Sequence, residues 1–408
     1  MAIVNLSELP ETTDFLVVGA GIVGLTVALE LARRHPDCRI TILDKENCLA
    51  AHASGRNSGV LHAGFYYSAD TLKARLCRVG NEALTAYCLD RGLPINPCGK
   101  LVLARNEAEQ EGICLLFERG RANMVPLQMI SEYEARSIEP RVRTCGRALW
   151  SPTTSSIDPL ALMASLARDA RLLGIRVVLG ARFLGRKKTA IETSAGIVQP
   201  GYTVNAAGLQ ADQVARAFGF GQGLAVFPFK GLYLYGNDSA PVLRVHVYPV
   251  PDLRLPFLGA HFTTTVKGRV KIGPTALPCL WTEQYSILEN FDCRDLARTT
   301  RLGMLMLAKN GRRYLRLAAG ELMKADRACL TAQAGALVEG IAPGMFTHWG
   351  RPGIRAQMVD INSGRLVMDF LSKGDDRSYH ILNAVSPALT SSLPLAAHCC
   401  DEMAALMG

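Results

Sequence analysis

The chain has 408 residues, 49% of them apolar and 20% charged, with a formal net charge of +9. This balance excludes a disordered or fibrous chain, and the length allows two domains or one large domain with an insertion. The charge favours anionic partners, but it is spread thinly: Lys309-Asn-Gly-Arg-Arg313 and Arg186-Lys-Lys188 are the densest clusters, and neither has the aromatic spacing of a nucleic-acid groove.

The first predicted element is the apolar strand Phe15–Val18. Gly19, Gly21 and Gly24 then fill the three positions of G-x-G-x-x-G, ahead of a helix from Ile22 to Arg34 and a second strand, Arg39–Asp44. The first glycine permits the tight turn, the second lets backbone approach a pyrophosphate, and the third lets helix and strand pack closely. Asp44 stands where a ribose hydroxyl needs an acceptor, with Lys45 beside it. Three glycines, Thr26 and Glu30 argue against reading residues 15–32 as a membrane span.

A second glycine loop, Ser54 to Gly64, follows. Residues 70–91 predict a helix with Leu72, Leu76, Val79, Ala83 and Ala86 on one stripe, and Cys98–Ala104 predicts a strand. Residues 106–121 and 131–137 read as helices, as does Asp158–Leu173, with Asp158 as N-cap. Short strands follow at Arg176–Leu179 and Ala190–Thr193, and a third at Tyr202–Gly208 ends in small residues. Residues 226–274 predict a mainly antiparallel sheet and residues 283–325 a return to helix. Tyr379–Asn383 reads as a last strand, and about 387–407 as a last helix.

The expected fold is therefore α/β: a Rossmann-like dinucleotide domain with a discontinuous, mainly antiparallel-sheet substrate domain. Residues 1–85, 150–215 and 330–408 are assigned to the first, and 86–149 and 216–329 to the second. Residues 1–10 lack the basic and apolar regions of a secretory signal, and the twelve cysteines include no C-x-x-C pair. The expectation is a cytoplasmic protein with reduced thiols. Residues 301–323, helical and basic, add peripheral contact with the inner membrane surface. No metal-ligand spacing is present, and no metal is expected.

At Asn57-Ser-Gly-Val-Leu-His62-Ala-Gly-Phe-Tyr-Tyr67 the chain resembles the L-2-hydroxyglutarate dehydrogenase/oxidase family of the D-amino-acid-oxidase-like superfamily. The resemblance continues at Leu72–Cys77, Cys98–Val102, Val204–Leu209, Val247–Asp252, Leu255–Thr263, Gly273-Pro274, Gly353–Gln357 and Ile381–Pro387. It implies bound FAD, oxidation of a 2-hydroxy acid by hydride transfer to flavin N5, and electron delivery to a quinone or oxygen. Arg56, Gln210, Lys230, Thr275 and Val385 depart from the family pattern.

Alcohol oxidation needs a base for the hydroxyl proton and cations for the carboxylates. His62, in the second glycine loop, and His261, on a predicted strand, are alternative bases. Arg355 suits bidentate carboxylate recognition. Lys230 and Tyr248 are candidate substrate contacts, with Lys100 and Lys73 as weaker ones. The cofactor set comprises Gly19, Gly21, Gly24, Asp44, Lys45, Ser54, Asn57, Ser58, Gly59, Val60, Ala207, Gly208, Gly353, Ser386, Pro387 and Ala388. An amino-acid or amine oxidase of the same superfamily, or a non-catalytic flavoprotein, is the alternative.

Overall fold

The computed structural model describes residues 8–253 and 257–408, so Leu255 and Pro256 of the resembling segment lie outside the described residues. The chain divides into two compact units. One comprises residues up to Arg56, Pro159–Pro228 and Arg355–Gly408; the other comprises Asn57–Asp158 and Phe229–Ile354.

The first unit is built on parallel strands. Arg176–Leu179, Ile40–Asp44, Thr12–Val18, Gly196–Asn205 and Ser378–Ile381 lie side by side in that order. The central strand is apolar throughout its second half, as burial on both faces requires. The helix Ile22–Arg34 buries Leu25, Val27, Ala28, Leu29 and Leu31, and packs against the helices Pro159–Leu172 and Ser392–Met407. Val18 pairs with both Leu43 and Asn205. Gly19, Asp44 and Ala206 therefore leave the sheet together, at neighbouring carboxyl ends of parallel strands, where open α/β sheets bind ligands.

The second unit centres on an eight-stranded sheet. Its strands run in the order Phe346–Trp349, Leu234–Gly236, Val270–Gly273, His261–Thr264, His246–Pro249, Lys100–Leu103, Ala148–Ser151 and Gln128–Ile130. Its described pairings are antiparallel except that of Lys100–Leu103 with His246–Pro249. Side chains alternate between faces along each strand. Leu101, Leu103, Val247, Phe262 and Ile272 fall on one face and pack with Leu330 and Ala334 of the helix Arg327–Gly335. Lys100, His246, Tyr248, His261, Thr263 and Lys271 fall on the other, and all six are buried. Ala63, Phe65 and Tyr66 of the glycine loop, with Ile113 and Leu116 of the helix Gln110–Ala122, close around Val102 and Tyr248 there.

Several expectations need correction. Residues 57–85, 150–158 and 330–354 belong to the second unit, and 216–228 to the first. The helix Leu72–Asp90 buries Lys73, Ala74, Cys77, Gly80, Asn81, Leu84 and Cys88, not the apolar stripe read from the sequence; Val79 and Ala86 are exposed. Polar bonding selects that face, because Asn81 Nδ2 donates to Leu61 O, His62 O and Thr153 O. The stretch 283–292 is not helical. Its backbone folds in turns, with Trp281 Nε1 donating to Glu289 O (2.8 Å), and Asp292 caps a helix that starts at Cys293. Gly311, at φ 54°, breaks that helix into two. The last helix begins at Ser392 rather than near 387. This start puts Pro394 in the first turn, where its missing N–H costs nothing.

Gly24 is set by the close packing of strand, turn and helix: a Cβ there would lie 1.8 Å from Gly19 O. Gly24→Ala is expected to lower unfolding free energy by about 1–3 kcal/mol. Gly320→Ala, in a helix with nothing within 4 Å of its added Cβ, is expected to raise it by about 0.5–1 kcal/mol. Denaturant titration of the two variants checks both signs.

Candidate cofactor and substrate sites

In the first unit the glycine turn forms a backbone cradle. Gly19 sits at φ 110°, and a Cβ there would meet Ala206 O at 2.5 Å. Gly21 caps the helix Ile22–Arg34 and offers no side chain to its N–H groups, so the positive helix end faces the turn as backbone. Ser54 Oγ accepts from Ile22 N (2.8 Å), fixing the start of the second loop against the first. Asp44 accepts from Ala20 N through one oxygen (2.8 Å) and from Glu46 N through the other (2.9 Å). Burial raises its pKa, with those N–H groups and the nearby His52 and Lys45 opposing. Asn205 Oδ1 accepts from Ala207 N (3.1 Å), and Gly208, at φ 55°, opens the next turn. An uncapped helix start, a cradle that side chains would fill and an acid at a strand end fit the pyrophosphate and ribose of a dinucleotide.

Lys45 has a different setting from the one expected for cofactor contact. Its ammonium is paired with Glu46 and lies 3.2 Å from His52 Nε2. Glu46 pays for burial but is held down to about 2 by these two neighbours.

In the second unit the loop from Asn57 to Tyr67 is pinned through its backbone. Asn57 Oδ1 accepts from Gly59 N (2.8 Å), and Ser58 Oγ from Val60 N (3.3 Å). Val60–Leu61 pairs with Ser155–Ile157. Cys77 Sγ and Asn81 Nδ2 donate to His62 O, Asn123 Nδ2 to Gly64 O and Tyr67 O, and Arg119 Nη1 to Tyr66 O. His62 itself is half-buried.

Against this loop lies the basic face of the eight-stranded sheet. The Tyr248 ring is sandwiched: His261 stacks on it at 3.7 Å between centroids and 21° between planes, and Lys100 Nζ lies 4.3 Å from its centroid. His261 Nδ1 is 2.7 Å from Gly259 O. A carbonyl only accepts, so Nδ1 carries a proton, and in the neutral ring the lone pair is on Nε2. Lys100 is fully buried, 5.5 and 5.1 Å from the Phe65 and Tyr66 ring centroids, and its Nζ has no hydrogen-bond partner among the described residues. Burial pulls its pKa down to about 7. His246, beside it in register, is pushed well below the usual imidazole range by burial, and further by Lys100 and His261.

Lys271 is the functional candidate that sequence reasoning missed. It is buried on the same face, donates to Ser58 O of the glycine loop (3.0 Å), lies over the Tyr233 ring at 4.5 Å, and is lowered to about 8 by desolvation. Its signal was the alternation Val270-Lys271-Ile272, which puts the lysine opposite two core residues.

The other candidates lie elsewhere. Lys230 is half-buried on the strand Leu224–Gly231, pairing with Leu277 rather than joining the eight-stranded sheet. Gly353 opens the strand Gly353–Asp360, and Arg355 is its half-buried third residue, assigned to the first unit. Ser386, Pro387 and Ala388 form a turn before the last helix, with Ala388 N donating to Val385 O. His380 is a packing residue: it lies between Phe218 and Phe220, bonds Asn205 and Ser378, and is lowered to about 4 by burial.

The chain is similar to known proteins over nearly its full length. The profile of the FAD dependent oxidoreductase family, DAO, covers residues 14–401. The L-2-hydroxyglutarate dehydrogenase of Escherichia coli K12 is 31% identical over 403 residues, 97% of this chain and 94% of that one. The mitochondrial L-2-hydroxyglutarate dehydrogenase of Homo sapiens is 33% identical over 417 residues, 96% and 88% of the two chains. Among solved structures, L-α-glycerophosphate oxidase from Mycoplasma pneumoniae superposes with TM-score 0.75 at 21% identity, covering 97% and 95%. Glycine oxidase from Geobacillus kaustophilus gives 0.73 at 18%, with the same coverage. At these identities the two structures speak to the fold.

The buried Lys100 gives a stability test. An unfolded lysine titrates near 10.5 and this one near 7, so between those values the unfolded chain holds more protons and folded stability rises with pH. Lys100→Met removes a buried amine whose charging is penalised. It is expected to raise Tm by about 2–5 °C at pH 7, a gap that closes as the pH approaches 10. Thermal scans across that range would refute this if the gap were constant or reversed.

Proposed function

Because the chain belongs to the DAO family of FAD-dependent oxidoreductases, we propose that it oxidises L-2-hydroxyglutarate, or a close 2-hydroxy dicarboxylate, to the 2-oxo acid. The observation that carries this reading is the buried basic face of the eight-stranded sheet. It combines an oriented imidazole with lysines suited to carboxylates. Bound FAD supplies a two-electron acceptor, at flavin N5, for the hydride that leaves substrate C2.

Gly19, Gly21, Gly24, Asp44, Ser54, Ala207 and Gly208 are assigned to hold its ADP half. The loop Asn57–Val60, with Gly353 and Ser386–Ala388, is assigned to its ring. His261 Nε2 takes the hydroxyl proton, its lone pair directed by the Nδ1–H bond to Gly259 O. His62 is the alternative base or a group that polarises the ring. Lys100 and Arg355 bind carboxylates, and Tyr248 carries His261 on its ring. The bonding of Lys45 to Glu46 leaves it a supporting part in the cofactor site.

Anaerobic mixing with L-2-hydroxyglutarate is expected to bleach the flavin band, and His261→Ala to slow bleaching by about 10²–10⁴-fold. Bleaching by an amino acid alone would replace this reading with an amine oxidase. No bleaching by either class would favour a non-catalytic flavoprotein. A large loss in His62→Ala with none in His261→Ala would move the base to His62.

The electron acceptor is assigned as a quinone reached at an anionic bilayer. Ile287 and Leu288 are 83% and 73% exposed, and Phe291, Met304, Leu315 and Leu322 are exposed with them. Arg294, Arg301, Lys309, Arg312 and Arg316 are exposed along the same segment, whose residues 294–320 contain Asp295 as their one acid. Apolar side chains amid unopposed cations suit an anionic lipid surface. No helix among the described residues is long and apolar enough to cross a membrane. Co-sedimentation with phosphatidylglycerol vesicles, absent with phosphatidylcholine and weakened by Arg312→Glu/Arg316→Glu, is expected. Equal behaviour towards both lipids would assign oxygen or a soluble acceptor.

A further inference from the structure

Resting on the dicarboxylate reading above, we propose that the basic face of the eight-stranded sheet takes up a proton when a dicarboxylate binds, and that Lys100 is the residue that gains it. Lys100, His246, His261 and Lys271 share this buried face. The helix Leu72–Asp90 adds buried Lys73 and Cys77 from its side, the glycine loop adds Tyr66, and Cys98 lies next to Lys100 along the chain. The buried carboxylate of this unit, Glu139, accepts from Arg141 N and Arg244 N. So many basic groups cannot all carry charge in one low-dielectric region without an anion.

The other basic groups of the sheet face have fixed hydrogen-bonding roles. Lys271 donates to Ser58 O, and His261 Nδ1 to Gly259 O. His246 Nδ1 accepts from Thr264 N (3.2 Å), and its Nε2 meets Cys98 Sγ (3.4 Å). Lys100 Nζ has no hydrogen bond among the described residues, and the buried hydroxyl of Tyr66, whose ring centroid lies 5.1 Å from Nζ, has none either. Three aromatic rings surround Nζ, an environment that accepts an ammonium once a counter-charge arrives. Its pKa of about 7 makes it mostly a neutral amine at pH 8. A bound carboxylate raises that value, so binding draws the proton from solvent.

The test is calorimetric titration of the FAD-loaded enzyme with glutarate, a dicarboxylate with no hydroxyl to oxidise, in buffers of different ionisation enthalpy. Uptake of about one proton at pH 8, falling towards zero at pH 6, is expected, with Kd rising roughly tenfold per pH unit above pH 8. Lys100→Arg, permanently charged, should bind glutarate with no uptake and little pH dependence. Lys100→Met should lose uptake and affinity together. Wild-type binding without uptake at pH 8, or uptake that persists in either variant, overturns this proposal and leaves the dicarboxylate reading standing. No binding of glutarate at any pH from 6 to 9 overturns both.

Discussion

A sheet that buries both faces must account for every polar group it encloses, and the eight-stranded sheet does so asymmetrically. One face is satisfied by apolar packing with the helix Arg327–Gly335. The other encloses Lys100, His246, Tyr248, His261 and Lys271. Desolvation of those bases shapes everything near them. It keeps His246 neutral, lowers both lysines, and makes the covering loop carry side chains that tolerate a cation, namely Phe65 and Tyr66. A face of this kind costs stability, because burial penalises the charged form of each base.

Rigidity is the counterpart of that cost. The loop Asn57–Tyr67 is anchored by buried Val60, Leu61, Ala63, Phe65 and Tyr66 and also through its backbone. Its carbonyls are bonded by Cys77, Asn81, Arg119, Asn123 and Lys271. These bonds hold the loop backbone against the sheet and the helix Leu72–Asp90, with His62 half-buried on it. In the first unit the same economy is achieved without side chains. Glycines bring a helix start and two strand ends close enough that Asp44 bonds Ala20 N directly. One unit thus offers backbone dipoles and the other buried basic side chains.

Much of the first unit was legible in the sequence, because its signal is local. Gly19, Gly21 and Gly24, the helix Ile22–Arg34 and the strand ending at Asp44 all fall within some thirty residues, and the helix bounds agree with expectation. The helix Leu72–Asp90 was legible as a helix but not by its buried face, since a polar clamp through Asn81 outweighed an apolar stripe. The loop 283–292 was read as helix because no local residue announces that Trp281 and Asp292 will fold and cap it.

By itself the sequence determined the parallel-sheet unit, the glycine cradle, the family resemblance and the residue types able to do the chemistry. Those follow from short-range spacing, where periodicity and turn geometry suffice. Only the tertiary structure decided which of those residues meet. Lys100 comes from a strand far in sequence from those of Tyr248 and His261, and the three are brought together by the parallel pairing of Lys100 with His246 and the antiparallel pairing of Val247 with Phe262. Pairing with Leu277 puts Lys230 on another sheet, and pairing with Thr263 turns Lys271 inward. A lysine's exposure depends on what covers its strand, which is a long-range property that no local pattern records.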